Sequence, residues 1–558
     1  MGLTDKQNRT INSKNKKVLV SAGAGTGKTK VLVSKYLNFI LHDKFPLERV
    51  LSITFTEKAA HEMKERIFFN LLETGDFTLI EKFNQAYIGT IHGFCSRILK
   101  EFAFDAEIDP GFNVLTFPEI ITEEVFDHVF NKAFSTDDKD VIGLLFENSL
   151  DLIKKSVLTV YDQLRTTGSN AEDFLDTEVE SDQVSGYYRD FADYIPVFLR
   201  TWSGFIDKNV KYRNDYENVL KLQDACRDIL NKDIPDLDDV FLLKDYISNI
   251  DLRGKVEFKL AYHEVKNKFI LFRDEYYDYY AKKTYLPGYL KLLNLFSEAY
   301  EEEKRRLGYL DFQDLQLKVL TLLQNKAHVR DVLKERFLGI LVDEFQDTNK
   351  LQMKIISYLI NDRNREFYVG DIKQSIYGFR DADITGFRDM HEELGTHPGP
   401  DEPLHILDES FRSREEIIEF INNLFEKIWS DSTELKFEKL RPRPLYREKS
   451  GPSVELIYTE GMTAPDSRLT ESSYLAERIN DIVKSGVFMV KDKDLELERP
   501  VHYGDFAILL RSFTDFNIYE NALRSLEIPY FILSGWGYFL KEEVTDLLNY
   551  LKLIRNPF

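Results

Sequence analysis

At 558 residues the chain is too long for one ordinary domain, and three or four folded units are expected. Hydrophobic residues at 43% and charged residues at 30% suit globular cores, and no apolar run approaches a membrane span. The polar, basic N-terminus has no signal-peptide core, and two cysteines, Cys95 and Cys226, argue against a disulfide framework or a cysteine-rich metal site, so the cytoplasm is the expected compartment. The net charge of -21 speaks against a simple nucleic-acid binder. Charge is uneven, however. Lys14, Lys16, Lys17, Lys28, Lys30, Lys35, Lys58, Lys64 and Arg66 crowd the first seventy residues, while the stretch from Glu119 to Asp251 is acidic. A basic groove on an acidic protein stays compatible with this balance.

In chain order, Val18-Leu19-Val20 reads as a strand running into Ala22-Gly23-Ala24-Gly25-Thr26-Gly27-Lys28-Thr29, with a helix beginning near Gly27. That layout binds a nucleoside triphosphate. Backbone N–H groups of the turn wrap the phosphates, and the helix N-terminus adds partial positive charge. Lys28 can reach the β- and γ-phosphates, and the Thr29 hydroxyl can ligate Mg²⁺. Ala22 stands where the generic pattern has its first glycine. The plainer reading, a glycine-rich turn between two elements, is disfavoured by the complete Gly-Lys-Thr ending.

Val50–Phe55 is an expected strand, Glu57–Phe69 a helix, and Tyr87–Ile91 a strand followed by a helix through Phe102. The rhythm implies a parallel sheet flanked by helices. It stops near Asp109-Pro110-Gly111, and from Thr122 to Leu307 the patterns are mainly helical. The run Tyr276-Tyr277-Asp278-Tyr279-Tyr280 reads as helix surface and core, with DNA stacking a poorer alternative. Strands return at Leu338–Val342 and Glu366–Gly370. The first of these ends in Asp343 and Glu344. Alone, such a pair is usually a strand leaving the core; beside a phosphate loop, the first acid can hold Mg²⁺ and the second can orient and deprotonate water. A second α/β region is expected, with strands near Leu404–Leu407, Val454–Tyr458, Phe506–Leu510 and Tyr530–Leu533, and a loop at Arg441-Pro442-Arg443-Pro444. No internal repeat is present.

Taken together these segments resemble superfamily 1 DNA helicases of the UvrD/Rep type, nearest the AddA/RecB-like branch. A series of motifs in one order carries the likeness. Leu3-Thr4-Asp5-Lys6-Gln7 is similar to the Q motif, whose glutamine reads the adenine edge. Ile53-Thr54-Phe55-Thr56-Glu57-Lys58-Ala59-Ala60 resembles motif Ia, and Gly89-Thr90-Ile91-His92-Gly93-Phe94-Cys95 the following DNA-contacting motif; its wording favours the AddA/RecB-like branch. Without that context His92 reads as an ordinary helix-start residue. Leu310-Asp311-Phe312-Gln313-Asp314-Leu315 resembles the segment that re-enters the motor domain. Val342-Asp343-Glu344-Phe345-Gln346-Asp347-Thr348-Asn349 resembles motif II, and Val369 through Arg380 motif III. In motif IV, Ser410-Phe411-Arg412-Ser413, phenylalanine replaces the usual Tyr and serine the usual Asn. Phe539 through Phe558 resembles the helix leading out of the second motor domain.

The resemblance implies tandem RecA-like P-loop motor domains, the second incomplete, with a large mainly helical insertion. The implied bounds are 1–108 and 308–390 for domain 1A, 109–307 for insertion 1B, and 391–558 for domain 2A. ATP and Mg²⁺ are the implied cofactors. Gln7, the loop from Ala22 through Thr29, and Phe411 would bind ATP, with Thr29 and Asp343 on the metal. Lys28, Glu344, Gln374 and Arg412 would act in hydrolysis, Arg412 as an arginine finger. Phe55, Thr56, Thr90, His92, Tyr377, Phe379 and Arg380 would contact DNA. The implied activity is an ATP-dependent helicase and translocase on single-stranded DNA, moving 3′ to 5′ in repair or recombination. Single-stranded and tailed duplex DNA would be its substrates, and a nuclease subunit or C-terminal nuclease domain a partner. Two other readings stand beside it: a nucleotide-binding scaffold in a repair complex, and a P-loop ATPase that does not act on DNA. Nothing like motifs V and VI is found, so residues 1–558 are expected to be the N-terminal part of a longer protein and to unwind little alone.

Overall fold

The computed structural model describes residues 2–146, 148–168, 181–206, 213–229, 232, 235–250, 256–376, 378, 383–396, 402–429, 437–443, 451–459, 463–492, 498–512, 514–533 and 542–555. The chain forms two compact units: Met1–Ser21 with Thr29–His405, and Ala22–Lys28 with Ile406–Phe558.

In the first unit the strands are β1 (Lys17–Ala22), β2 (Val50–Thr54), β3 (Tyr87–Thr90), β4 (Asn113–Leu115), β5 (Tyr309–Asp311), β6 (Gly339–Val342) and β7 (Arg365–Gly370). Five of them make a parallel sheet in the order β3-β2-β6-β7-β1. Ile53 faces Val342 across β2 and β6, and Val20 faces Val369 across β1 and β7. β6 thus slots in beside β2, although the whole insertion separates them in sequence. These strands are buried almost throughout, which is why they read as continuous apolar runs rather than alternating ones. A sixth strand, β8 (Leu404–Leu407), begins as this unit ends, where the Leu19 N–H donates to the Pro403 carbonyl at 2.9 Å.

Helices between the strands start at side-chain caps. Thr56 caps Glu57–Thr74, Thr90 caps Ile91–Glu101, and Asn349 caps Lys350–Leu359. The first two helices start just beyond β2 and β3 and the third after the turn that follows β6; each cap supplies an oxygen acceptor for orphan N–H groups. The core under one sheet face joins Ile53, Ile98, Leu323, Ile340 and Ile355.

Helix Asp5–Asn12 is held from below by Lys35, a residue of helix Lys28–Leu41. Its buried ammonium donates to the Ile11 and Ser13 carbonyls at 2.9 and 2.7 Å. Burial lowers the Lys35 pKa from 10.5 to about 8, partly countered by Asp43. Between those pH values the unfolded chain holds a proton that the folded chain has lost, so stability rises with pH across the window. Urea midpoints are expected to rise more between pH 8 and 10.5 in the native chain than in Lys35→Met. Parallel pH profiles for the two would contradict this.

Among the described residues the insertion has two aromatic-rich cores. One packs helices Glu119–Ser135, Leu150–Thr167 and Leu286–Leu307 around Phe126, Ile153, Phe296 and Tyr300. The other packs helices Ser181–Ile206, Arg213–Ile229, Leu237–Ser248 and Val256–Thr284 around Phe191, Phe198, Phe269 and Tyr276. Tyr277, Tyr279 and Tyr280 pack against that second core, so the tyrosine run is a helix interior and its margin. β4 and β5, too short to register as strands in the sequence, pair in parallel where the chain enters and leaves the insertion.

In the second unit three expected strands are corrected. Val454–Tyr458, Phe506–Leu510 and Tyr530–Leu533 make no sheet among the described residues. Leu456, Leu509, Phe531 and Leu533 are all more than 80% exposed. An apolar stretch becomes a stable strand only beside a partner that pairs and covers it. Phe506 and Ile508 instead pack on a small core of Ala476 and Ile479 from helix Ala464–Ser485, Leu523 from helix Phe516–Ser525, and Ile528 just beyond it. The expected loop at 441–444 begins with a short strand, Arg441–Pro442, paired in parallel with Glu409–Ser410. Helix Glu542–Arg555 lies within the stretch likened to the exit helix.

Candidate nucleotide and DNA site

Because the sheet is parallel, every strand delivers its following loop to the same carboxyl edge, where ligands of open α/β sheets bind. The phosphate loop leaves β1. Thr56 follows β2, Thr90 ends β3 and His92 follows it, the acidic pair follows β6, and the turn from Asp371 to Gln374 follows β7.

The loop is shaped by Gly25 and Gly27, both at positive φ, and by the buried Thr26, whose hydroxyl donates to the Gly23 carbonyl at 2.8 Å. Within the second unit, the Phe411 N–H donates to the Gly25 carbonyl at 2.9 Å. A Cβ at Gly25 would come within 2.6 Å of Arg412 Cβ and 2.7 Å of Ser410 Oγ. Glycine is therefore required there both by φ and by close approach of the 410–412 segment. Phe411 and Arg412, expected on ATP, thus stand beside the loop. One face of the Phe411 ring meets the Arg443 guanidinium at 5.7 Å. Ser410 is buried and its hydroxyl has no hydrogen-bond partner among the described residues. Helix Lys28–Leu41 has no acidic residue in its first turn, so its positive end is not neutralised from within.

In the first unit Asp343 is buried, and its N–H donates to the Ile53 carbonyl. Glu344 adopts φ 47°, a left-handed conformation rare for a residue with a side chain and worth about 1–3 kcal/mol of strain. Its N–H donates to Asp343 Oδ1 at 3.0 Å. Gln346, which sequence reasoning did not single out, links this pair to the next strand. Its Nε2 donates to Glu344 Oε2 at 2.9 Å, and its Oε1 accepts the Asp371 N–H at 2.9 Å. Asp371 in turn accepts from Gln374 Nε2 at 2.8 Å. The amide's orientation follows from its partners, since only the nitrogen end can face a carboxylate. Tyr377, Phe379 and Arg380, just beyond this turn, lie outside the described residues.

Gln7 is buried at the start of helix Asp5–Asn12, and its Oε1 accepts the Thr4 N–H while Thr4 Oγ1 accepts the Gln7 N–H. This capping box was legible as Thr-x-x-Gln, and it gives the glutamine a local task beside the one expected of it.

The expected DNA-contact residues lie at the carboxyl ends of the paired strands β2 and β3. Thr54 and Thr90 are register partners, and Thr90 Oγ1 donates to Glu57 Oε1 at 2.6 Å. Phe55 is half-buried and Thr56 exposed. Burial lowers the His92 pKa to about 4, against the opposing pull of Glu57, so its ring is neutral at physiological pH. Its Nε2 lies 2.9 Å from Gln316 Nε2, and Phe312, also missed in the sequence, meets the ring edge-on at 5.1 Å.

A parallel sheet with a glycine-rich loop after its first strand and an acidic pair at the end of another is the RecA-like fold of P-loop motor proteins. Residues 3–395 match the family model of the UvrD/REP helicase N-terminal domain, and residues 406–558 that of the UvrD-like helicase C-terminal domain. The chain belongs to the UvrD/Rep helicase family. It is similar to an ATP-dependent helicase/nuclease subunit of Carboxydothermus hydrogenoformans, 29% identical over 99% of this chain and 52% of that protein. The same-named proteins of Ligilactobacillus salivarius and Listeria innocua are 28% and 27% identical, each over 100% of this chain and 51% of their own length. The chain spans about half the length of the curated relatives it matches. No helix among the described residues is long and apolar enough to cross a membrane.

Proposed function

We propose that the chain is an ATP-driven motor on single-stranded DNA, moving 3′ to 5′ in DNA repair or recombination. The observation that carries this reading is the bonded path Glu344–Gln346–Asp371–Gln374. It joins the acid proposed to activate water to the turn that leads into the proposed base-stacking residues Tyr377 and Phe379. A motor must couple those two events; a scaffold or a small-molecule ATPase has no use for the link. Residues 1–108 and 308–390 would form domain 1A, 109–307 its insertion, and 391–558 the 2A part.

The donor chemistry fits Mg²⁺ and ATP. Thr29 and Asp343 offer hard oxygen ligands, and the loop 22–28 with Lys28 offers N–H groups and an ammonium for phosphates. Mg²⁺, when bound, would offset charge on the phosphate oxygens. Glu344 would take a proton from the attacking water, with Gln346 holding its carboxylate. Gln374 would sense the terminal phosphate, and Arg412 would offset its developing charge. Gln7 and Phe411 would hold adenine. Phe55, Thr56, Thr90, His92, Tyr377, Phe379 and Arg380 would hold the strand. The helicase/nuclease naming of the relatives supports a nuclease subunit or domain as partner, and tailed duplex would be a substrate.

Gln346→Met keeps the side-chain volume and removes both links. Misplacing a reacting group in this way is expected to slow DNA-stimulated hydrolysis in the intact protein by roughly 10–100-fold. Binding of a fluorescent ATP analogue should change little. Unchanged stimulation by DNA in this variant would remove the path from the mechanism.

A further inference from the structure

Within the first unit the insertion meets the motor at a cluster of buried charge. Arg165 comes from the last turn of helix Leu150–Thr167, and Lys304 from the last turn of helix Leu286–Leu307. Asp311 and Asp314 form the capping box that opens helix Phe312–Asn325. None of the four side chains is more than 12% exposed. Arg165 grips Asp311 with two bonds of 2.8 Å and reaches Asp314 Oδ1 at 2.5 Å. Lys304 donates to Asp314 Oδ2 at 2.6 Å, to Asp311 Oδ2 at 3.2 Å and to Glu301 at 2.6 Å. The Tyr300 hydroxyl donates to Asp311 Oδ2 at 3.3 Å.

Such a cluster is not the cheapest way to join helices, since apolar packing of equal volume often stabilises as well. What it adds is direction: a guanidinium seated two-pronged on a carboxylate fixes both distance and angle. The element it directs is the first turn of helix Phe312–Asn325. Phe312 stands there edge-on to His92, and Gln316, one turn later, contacts the same imidazole. Gln313, between them, donates to Thr166 Oγ1 at 3.0 Å, beside Arg165. A continuous set of contacts therefore runs from the insertion, through the helix cap, to His92.

We infer that Arg165 is a positioning residue for single-strand binding: through the Asp311–Asp314 cap, the insertion sets where His92 and Phe312 stand on the DNA-contact edge. This rests on the proposed reading of the His92 segment as a DNA contact.

The test is fluorescence anisotropy of a labelled oligo-dT on the 558-residue chain at fixed low salt. Arg165→Met leaves two buried carboxylates sharing Lys304, so a second variant combines it with Asp311→Asn, which keeps a capping side chain while removing one charge. Both variants, and His92→Ala alone, are expected to weaken binding about 3- to 30-fold. Adding His92→Ala to the Arg165→Met/Asp311→Asn pair should cost little more, because residues acting on one contact are not additive. Weakening by His92→Ala with unchanged affinity in the Arg165→Met/Asp311→Asn pair would overturn the inference and leave the DNA reading standing. So would losses that simply multiply, which is the pattern of a general structural defect. Unchanged affinity in His92→Ala would instead overturn the DNA reading of that segment, and this inference with it.

Discussion

Lys28→Ala is expected to abolish ATP hydrolysis in the intact protein. Lys28 opens helix Lys28–Leu41 directly after the loop's two positive-φ glycines. The backbone would supply N–H groups and the helix a partial charge, and the lysine would add a full positive charge at the β/γ-phosphates. Removing a preorganised group of this kind from a phosphoryl-transfer site costs at least about 10²–10³ in rate. Alanine is a strong helix former, so the fold has no reason to change. Steady-state hydrolysis with saturating single-stranded DNA is the check. Near-normal turnover would remove this loop from the mechanism.

Glu344→Gln should separate binding from chemistry. The amide keeps the shape of the carboxylate, and its oxygen can still accept from Gln346 Nε2, so the strained backbone at this position keeps a support. What it loses is basicity, typically worth on the order of 10²–10⁴ in rate. A fluorescent ATP analogue should bind with nearly native affinity while single-turnover hydrolysis collapses. A parallel fall in both would make Glu344 a structural or metal-binding residue.

The residues that could be read in the sequence are those whose chemistry is local. The glycine-rich loop announces itself because only glycine tolerates the φ values of Gly25 and Gly27. The acids follow a strand whose burial made it an unbroken apolar run. β1, β2, β3, β6 and β7 were visible for the same reason, and the insertion's helices through their apolar stripes. What escaped depends on partners distant in sequence. Gln346 matters because Asp371 lies on the neighbouring strand's end. Arg165 matters because Asp311, far along the chain, returns to it. Phe312 was read only as part of the segment re-entering the motor domain, yet it is half-exposed and set against His92. The second unit misled in the opposite direction: Val454–Tyr458, Phe506–Leu510 and Tyr530–Leu533 have strand-like composition, but no described neighbour pairs with them. Apolar composition specifies an extended segment, whereas a sheet needs a second strand.

We propose that ATP hydrolysis at the carboxyl edge of this sheet is coupled to a DNA strand held at the same edge. The most direct measurement is the ATP hydrolysis rate of the intact protein as single-stranded DNA is titrated in at saturating ATP and Mg²⁺. The expected result is a low basal rate that rises with DNA and saturates, with the rise lost in Gln346→Met. A rate that is the same with and without DNA would contradict it.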